Sequence, residues 1–356
     1  MQIPVTKTTT PKSRPPEAEL GFGKFFSDHL FSTTYTPDQG WHDAKVVPYG
    51  PLVMDPAAGV FHYGQAMFEG SKVFRGKDGA LQLFRPEAHA HRMAMGAPRL
   101  SMMCPSEEQM LAGMHALARA DADWVPHAPG TALYLRPTLV ATEAFLGVRP
   151  ATAFLFFIIA SPVGSYYGGS GLKSVRIWVE TNDVRAPKGG LGATKAGANY
   201  AASLHAAQAA KKQGFDQVLW LDGKDHEFIE EVGTMNLFVV IGGKLLTPPL
   251  SDSILAGVTR DSVIQLARSQ GLVVEERPVS IKEVRAAAQS GTLTEIFGTG
   301  TAAVISPVGE LAFAGGEKLI VNQGKPGPIS LSLFETISGI QRSTVADPHR
   351  WMVPVK

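Results

Sequence analysis

A chain of 356 residues, 44% apolar and 18% charged, has the composition of a globular protein with enough material for two domains. Its formal net charge of +1 leaves no electrostatic footprint for nucleic acid or an anionic membrane surface. The single cysteine, Cys104, cannot form an internal disulfide and fits a reducing, cytoplasmic setting.

The first twenty residues are rich in Thr, Lys and Pro without an apolar stretch, so residues 1–20 read as a disordered segment, not a signal peptide. Pro86-Glu-Ala-His-Ala-His-Arg-Met93 has proline where a helix begins. From Ser106 to residue 120, Met110, Leu111, Met114, Leu117 and Ala118 recur at helical spacing. In Tyr134-Leu-Arg-Pro137 polar and apolar positions alternate, which on a strand puts Tyr134 and Arg136 on one face. The apolar run Ala153–Ala160 is too short to cross a bilayer and reads as a buried strand. The glycine-rich stretch that follows predicts an interdomain linker over residues 162–174.

Ser174–Glu180 and Gln217–Leu221 read as strands, with an alanine-rich helix from Asn199 to Gln213 between them, stopped by Gly214. Gly242-Gly243 between Leu237–Ile241 and Lys244–Leu246 predicts a hairpin. Ser280-Ile-Lys-Glu283 predicts a capping box, opening a helix that ends near Gly291. Strands and helices interleave, so the fold class is α/β (α+β), with domains over residues 21–161 and 175–356.

Lys195 stands in Gly-Gly-Leu-Gly-Ala-Thr-Lys-Ala-Gly-Ala-Asn-Tyr200, among small residues and with no acid in the run. A lysine with no local counter-ion in an apolar surround loses its proton more readily, and its amine can then attack an aldehyde. Glu230-Glu231-Val-Gly-Thr234-Met-Asn236 carries carboxylates into an apolar strand, where they need partners. Gly257-Val258-Thr259 before a helix, and Gly298-Thr-Gly-Thr301-Ala302, have the makings of anion cradles. Taken singly, each segment reads as well as a solvated lysine, a turn acid, a threonine N-cap or an ordinary Gly/Thr turn. No histidine–carboxylate spacing suited to a metal and no Gly-x-Ser-x-Gly elbow appears.

Taken in order, Tyr63-Gly-Gln-Ala-Met-Phe-Glu-Gly70, Phe84-Arg-Pro, Tyr134-Leu-Arg-Pro137, Thr194-Lys-Ala-Gly-Ala-Asn-Tyr200, Glu231-Val-Gly-Thr-Met-Asn236, Gly257-Val-Thr-Arg260 and Gly298-Thr-Gly-Thr-Ala302 resemble the branched-chain amino-acid aminotransferases. Phe22-Gly-Lys-Phe-Phe-Ser-Asp-His29 and Trp351-Met-Val-Pro354 extend the likeness to longer members, over nearly all the chain after residue 20. The resemblance implies fold type IV, with a small α/β domain and a larger one built on a pseudo-barrel. It implies pyridoxal 5′-phosphate as cofactor and a homodimer with the site near the subunit interface.

By the same resemblance Lys195 forms the Schiff base, Glu231 faces the pyridine nitrogen and Tyr200 the phenolic oxygen. The phosphate falls to Arg92, Val258, Thr259 and Thr301, with Thr234 near the cofactor's face. The substrate α-carboxylate falls to Thr301-Ala302 with Tyr134, and the side-chain pocket to Phe22, Tyr63, Phe68 and Tyr166. Arg136 is the natural partner for the distal carboxylate of glutamate. The implied reaction is reversible transfer of the amino group of leucine, isoleucine or valine to 2-oxoglutarate, giving 2-oxo acids and glutamate. D-amino-acid aminotransferases and aminodeoxychorismate lyases share the fold and the cofactor residues. Ala303 and Ser306 stand where some members carry a Cys-x-x-Cys, so a thiol switch of that kind is not expected.

Overall fold

A computed structural model of the chain describes residues 3–164 and 172–356. The chain divides into two units: Met1–Gly169 with Thr194–Ala198 and Ser338–Lys356, and Ser170–Ala193 with Asn199–Ile337.

The first unit holds β1 (His29–Thr36), β2 (Gly40–Pro48), α1 (Gly59–Tyr63), β3 (Ala66–Phe68), β4 (Ser71–Arg75), β5 (Leu81–Phe84), α2 (Pro86–Gly96), α3 (Glu107–Ala120), β6 (Ala132–Ala141) and β7 (Phe154–Val163). Its sheet runs β5-β4-β6-β7-β1-β2, with β3 paired to β6 and the C-terminal strand Met352–Pro354 added beside β5. The expected buried strand is β7, at the sheet's centre and antiparallel to both β6 and β1. Its pleat sorts the residues: Phe154, Phe156 and Ile158 are buried, while Leu155, Phe157 and Ile159 are partly exposed. The buried set packs with Phe31, Met93, Met110, Met114 and Leu117 in one core, so α2 and α3 cover that face. Pro86 opens α2. Ser106 caps α3 in a complete capping box with Gln109, as good a helix start as sequence can write.

Three features differ from the expected organisation. The N-terminal segment is not loose: Thr6 N–H donates to Val46 (2.9 Å), Val46 N–H to Pro4 (2.9 Å) and Lys12 N–H to Asp28 Oδ1 (2.8 Å). The reason is that β2 is an edge strand with backbone groups to satisfy, and the segment supplies them. The lysine segment groups with the first unit, because Met67 bridges to Ala196 and Phe68 N–H donates to the Lys195 carbonyl at 3.1 Å. The C-terminus returns to that unit too, pairing Met352 with Phe84, while Trp351 meets the Phe84 ring edge-on. Of the linker, Pro162 and Val163 belong to β7, and residues 165–171 lie outside the described residues.

The second unit holds β8 (Val175–Val179), most of α4 (Gly197–Lys212), β9 (Gln217–Leu221), β10 (Ile229–Val232), β11 (Met235–Ile241), β12 (Lys244–Thr247), α5 (Val258–Ser269), β13 (Val274–Glu276), α6 (Ile281–Gln289), β14 (Leu293–Gly300) and β15 (Val304–Ala312). The strand order β10-β9-β8-β15-β14-β11 closes on itself, since β10 also pairs with β11. This is the barrel-like sheet the resemblance implied. The β11–β12 turn is Gly242-Gly243, with φ of +57° and +76°, the double left-handed turn that a two-residue hairpin asks for. Ser280 Oγ accepts the Glu283 N–H at 3.0 Å, but the Glu283 carboxylate turns to Arg277 (2.6 and 2.9 Å) and leaves the reciprocal half of the expected capping box unmade. The stronger partner wins: a fork of two charge-assisted bonds outweighs one backbone amide. No helix among the described residues is long and apolar enough to cross a membrane.

Candidate active site

In the first unit the predicted lysine and the predicted substrate residues come together around one ring. Phe68, at the end of β3, has Lys195 Nζ 5.0 Å and the Arg136 guanidinium carbon 4.5 Å from its centroid. A guanidinium at this distance is attracted by the ring's electron-rich face. Arg136 also donates to Tyr134 Oη (3.2 Å), and Phe22 meets the Tyr134 ring at 5.0 Å and 70°. The Tyr134 hydroxyl lies where a Cβ on residue 70 would be, so only glycine fits there. Arg136 Nε is buried with no hydrogen-bond partner among the described residues. Tyr63 is held elsewhere: it sits on exposed α1 and donates to the Leu146 carbonyl. Tyr166 lies outside the described residues.

Arg92, on α2, makes a two-point pair with Glu69: Nε to Oε1 at 2.7 Å and Nη2 to Oε2 at 2.8 Å. His89 Nδ1 lies 3.1 Å from Glu69 Oε2, and the Gly70 N–H donates to the same oxygen at 3.0 Å. Burial alone would push the Glu69 carboxyl up, but the Arg92 charge and the hydrogen bonds from His89 and Arg92 outweigh it and hold it well below the usual carboxylate range. Burial pushes His89 below its ordinary value despite the Glu69 carboxylate beside it, and since a carboxylate oxygen only accepts, the contact is one in which His89 Nδ1–H donates. Glu69 stands in a motif the sequence reading singled out, yet it received no role there; only its neighbours across the fold show one.

In the second unit Glu231 is buried on β10, and the sequence reading missed its partner, Arg185, whose Nε is 3.1 Å from Glu231 Oε2. Oε1 accepts the Leu255 N–H (2.9 Å) and a weaker bond from Asn236 Nδ2 (3.4 Å). Arg185 is itself fixed by the carbonyls of Gly192 and Ser253. A buried acid in a strand signals that a cation must exist, but not which one. The adjacent Glu230 is buried as well; burial pushes its carboxyl up, only partly offset by the Ser253 hydroxyl and Arg185.

Thr259 is not an N-cap. Gly257 is the cap, and Val258 and Thr259 occupy the first turn of α5, where N–H groups have no partner within the helix. A Cβ at residue 257 would overlap Asn236 Oδ1, so the approach to that helix end is open only to glycine. Thr301 and Ala302 form the half-buried turn after β14. Two residues earlier, the buried Thr299 hydroxyl has no hydrogen-bond partner among the described residues. Tyr200 is half-buried in the first turn of α4, and Thr234 is exposed in the β10–β11 turn.

A lysine amine beside aromatic and cationic side chains, a fixed buried carboxylate, a helix start and an unsatisfied hydroxyl are the donor set a phosphorylated aldehyde cofactor needs, and each is present. Residues 66–311 match the family described as amino-transferase class IV. The chain belongs to the class IV aminotransferases. It is 50% identical over 353 residues to branched-chain-amino-acid aminotransferase 2 of Bacillus subtilis, covering 99% of this chain and 97% of that one. Among solved structures it resembles the branched-chain amino acid aminotransferase of Escherichia coli (TM-score 0.77, 26% identity, 92% of this chain and 99% of that one). It also resembles the enzyme of Thermobaculum terrenum solved in its PLP form (TM-score 0.74, 25% identity, 92% and 98%).

Proposed function

We infer that this class IV aminotransferase is a branched-chain amino-acid transaminase, moving the amino group of leucine, isoleucine or valine reversibly to 2-oxoglutarate with pyridoxal 5′-phosphate as cofactor. The observation that carries the reading is the Phe68 ring with Lys195 and Arg136 both against it: a nucleophilic amine, an apolar wall and one charged fork in the same place. Branched alkyl groups bind by shape and burial, whereas glutamate needs a cation for its second carboxylate. Phe22 and Phe68 serve the first need, and Arg136 serves the second.

When bound, the cofactor supplies the electron sink for the bond that breaks at the substrate Cα. Lys195 would hold the cofactor aldehyde, and its Nζ would move the substrate Cα proton. Glu231, oriented by Arg185, the Leu255 N–H and Asn236, would face the pyridine nitrogen and keep a proton on it. Tyr200 would donate to the phenolic oxygen. Arg92, the Val258 and Thr259 amides and the Thr301 hydroxyl would take the phosphate, with Thr234 as a further contact. The Thr301-Ala302 amides and Tyr134 take the substrate α-carboxylate.

A homodimer in the cytoplasm completes the proposal. Phe61, Tyr63, Phe145, Leu146 and Val148 are exposed together where α1 is bonded to the segment around Glu143–Leu146, and Val148 is 88% exposed. An apolar patch of that kind fits a self-complementary contact with a second copy. The deciding experiment is the visible spectrum of the purified protein with L-leucine, and in parallel with D-alanine. A cofactor band that shifts with L-leucine and returns with 2-oxoglutarate supports the reading. A response to D-alanine alone moves the chain to the D-amino-acid branch, and no cofactor uptake overturns the roles of Lys195 and Glu231.

A further inference from the structure

We propose that Glu69 is a positioning residue for cofactor phosphate: with His89 it sets the plane and direction of the Arg92 guanidinium. This rests on the reading, made above, that Arg92 takes the phosphate. Glu69 is 1% exposed, and its carboxylate oxygens collect both Arg92 contacts together with His89 Nδ1 and the Gly70 N–H. The backbone at this point is tied down as well, since Glu69 N–H donates to the Pro137 carbonyl at 2.8 Å.

An arginine held through Nε and one Nη cannot rotate about its last bonds. Its second fork, across the two Nη atoms, then points away from Glu69 in one direction, which is the planar two-point geometry phosphate oxygens accept. The negative charge of Glu69 also balances Arg92 in a buried setting, where an unpaired guanidinium beside His89 would be costly. The same tripeptide supplies Phe68 to Lys195, so one short piece of backbone, Phe68-Glu69-Gly70, sets both the amine and the phosphate arginine.

The test compares the affinity of the full-length apoprotein for pyridoxal phosphate with its affinity for pyridoxal, which lacks the phosphate, in wild type, Glu69→Gln and Arg92→Gln. With Glu69→Gln the affinity for pyridoxal phosphate falls by about tenfold or more while that for pyridoxal changes by less than about twofold. Equal loss of both, with a lowered Tm, makes Glu69 a structural tie and overturns the proposal, as does no loss of either. If Glu69→Gln does not fold, Glu69→Asp, which keeps the charge on a shorter arm, must show the same phosphate-selective loss. Arg92→Gln separates the two ideas. A phosphate-selective loss there without one at Glu69 refutes only the positioning role, whereas no selective loss at Arg92 refutes the phosphate assignment itself.

Discussion

Phe68 holds Lys195 twice: its N–H donates to the Lys195 carbonyl at 3.1 Å, and its ring centroid lies 5.0 Å from Nζ. Main chain and side chain of one residue thus fix where the amine starts and where it ends. Because Arg136 faces the same ring at 4.5 Å, Phe68→Leu removes the ring that both the amine and the guanidinium rest against. We expect kcat/KM to fall about tenfold with both leucine and glutamate, and Phe68→Tyr to retain most of it. Steady-state kinetics with both donors checks this; a loss confined to one donor contradicts it.

Arg136 offers a buried Nε and a fork steadied by Tyr134. Arg136→Met leaves a glutamate carboxylate with no cation, so kcat/KM for glutamate should drop by about 100-fold, and that for leucine by much less. The ratio of the two constants is the measurement.

Arg185 and Glu231 form a buried pair whose partners are fixed on both sides. Arg185→Met strands a carboxylate in the interior and should cost about 3–5 kcal/mol, read as a lower urea midpoint. The double variant Arg185→Met with Glu231→Gln removes the stranded charge as well and should regain more than half of that loss.

Glu230 carries the opposite lesson. Burial raises its folded pKa, so the native chain keeps a proton that the unfolded chain has already lost, and stability falls as pH rises above the ordinary glutamate range. Glu230→Gln abolishes that slope. Thermal melts should show the variant ahead of wild type near pH 8 and level with it near about pH 4.

Burial, with Glu107 nearby, pushes the Cys104 thiol up to about 12, and Ala303 and Ser306 supply no second sulfur. Activity should therefore survive treatment of the folded protein with a disulfide reagent, and thiol counts should reach one only on unfolding.

Local chemistry wrote much of this fold into the sequence. The helix over residues 106–120, the Gly242-Gly243 hairpin and the buried strand at Ala153–Ala160 each depend on near neighbours, and each forms where expected. The lysine, the buried acid and the Tyr134–Arg136 face were legible too, because their residue types are unusual for their surroundings. What only the tertiary structure decided is which distant groups satisfy them. The chain could not announce that Arg185 would meet Glu231, that Glu69 would grip Arg92, or that the first residues would complete the edge of β2. A buried charge or an open strand edge states a need that many residues could meet. The choice among them is made by packing, which brings one candidate within hydrogen-bond reach and leaves the others outside it.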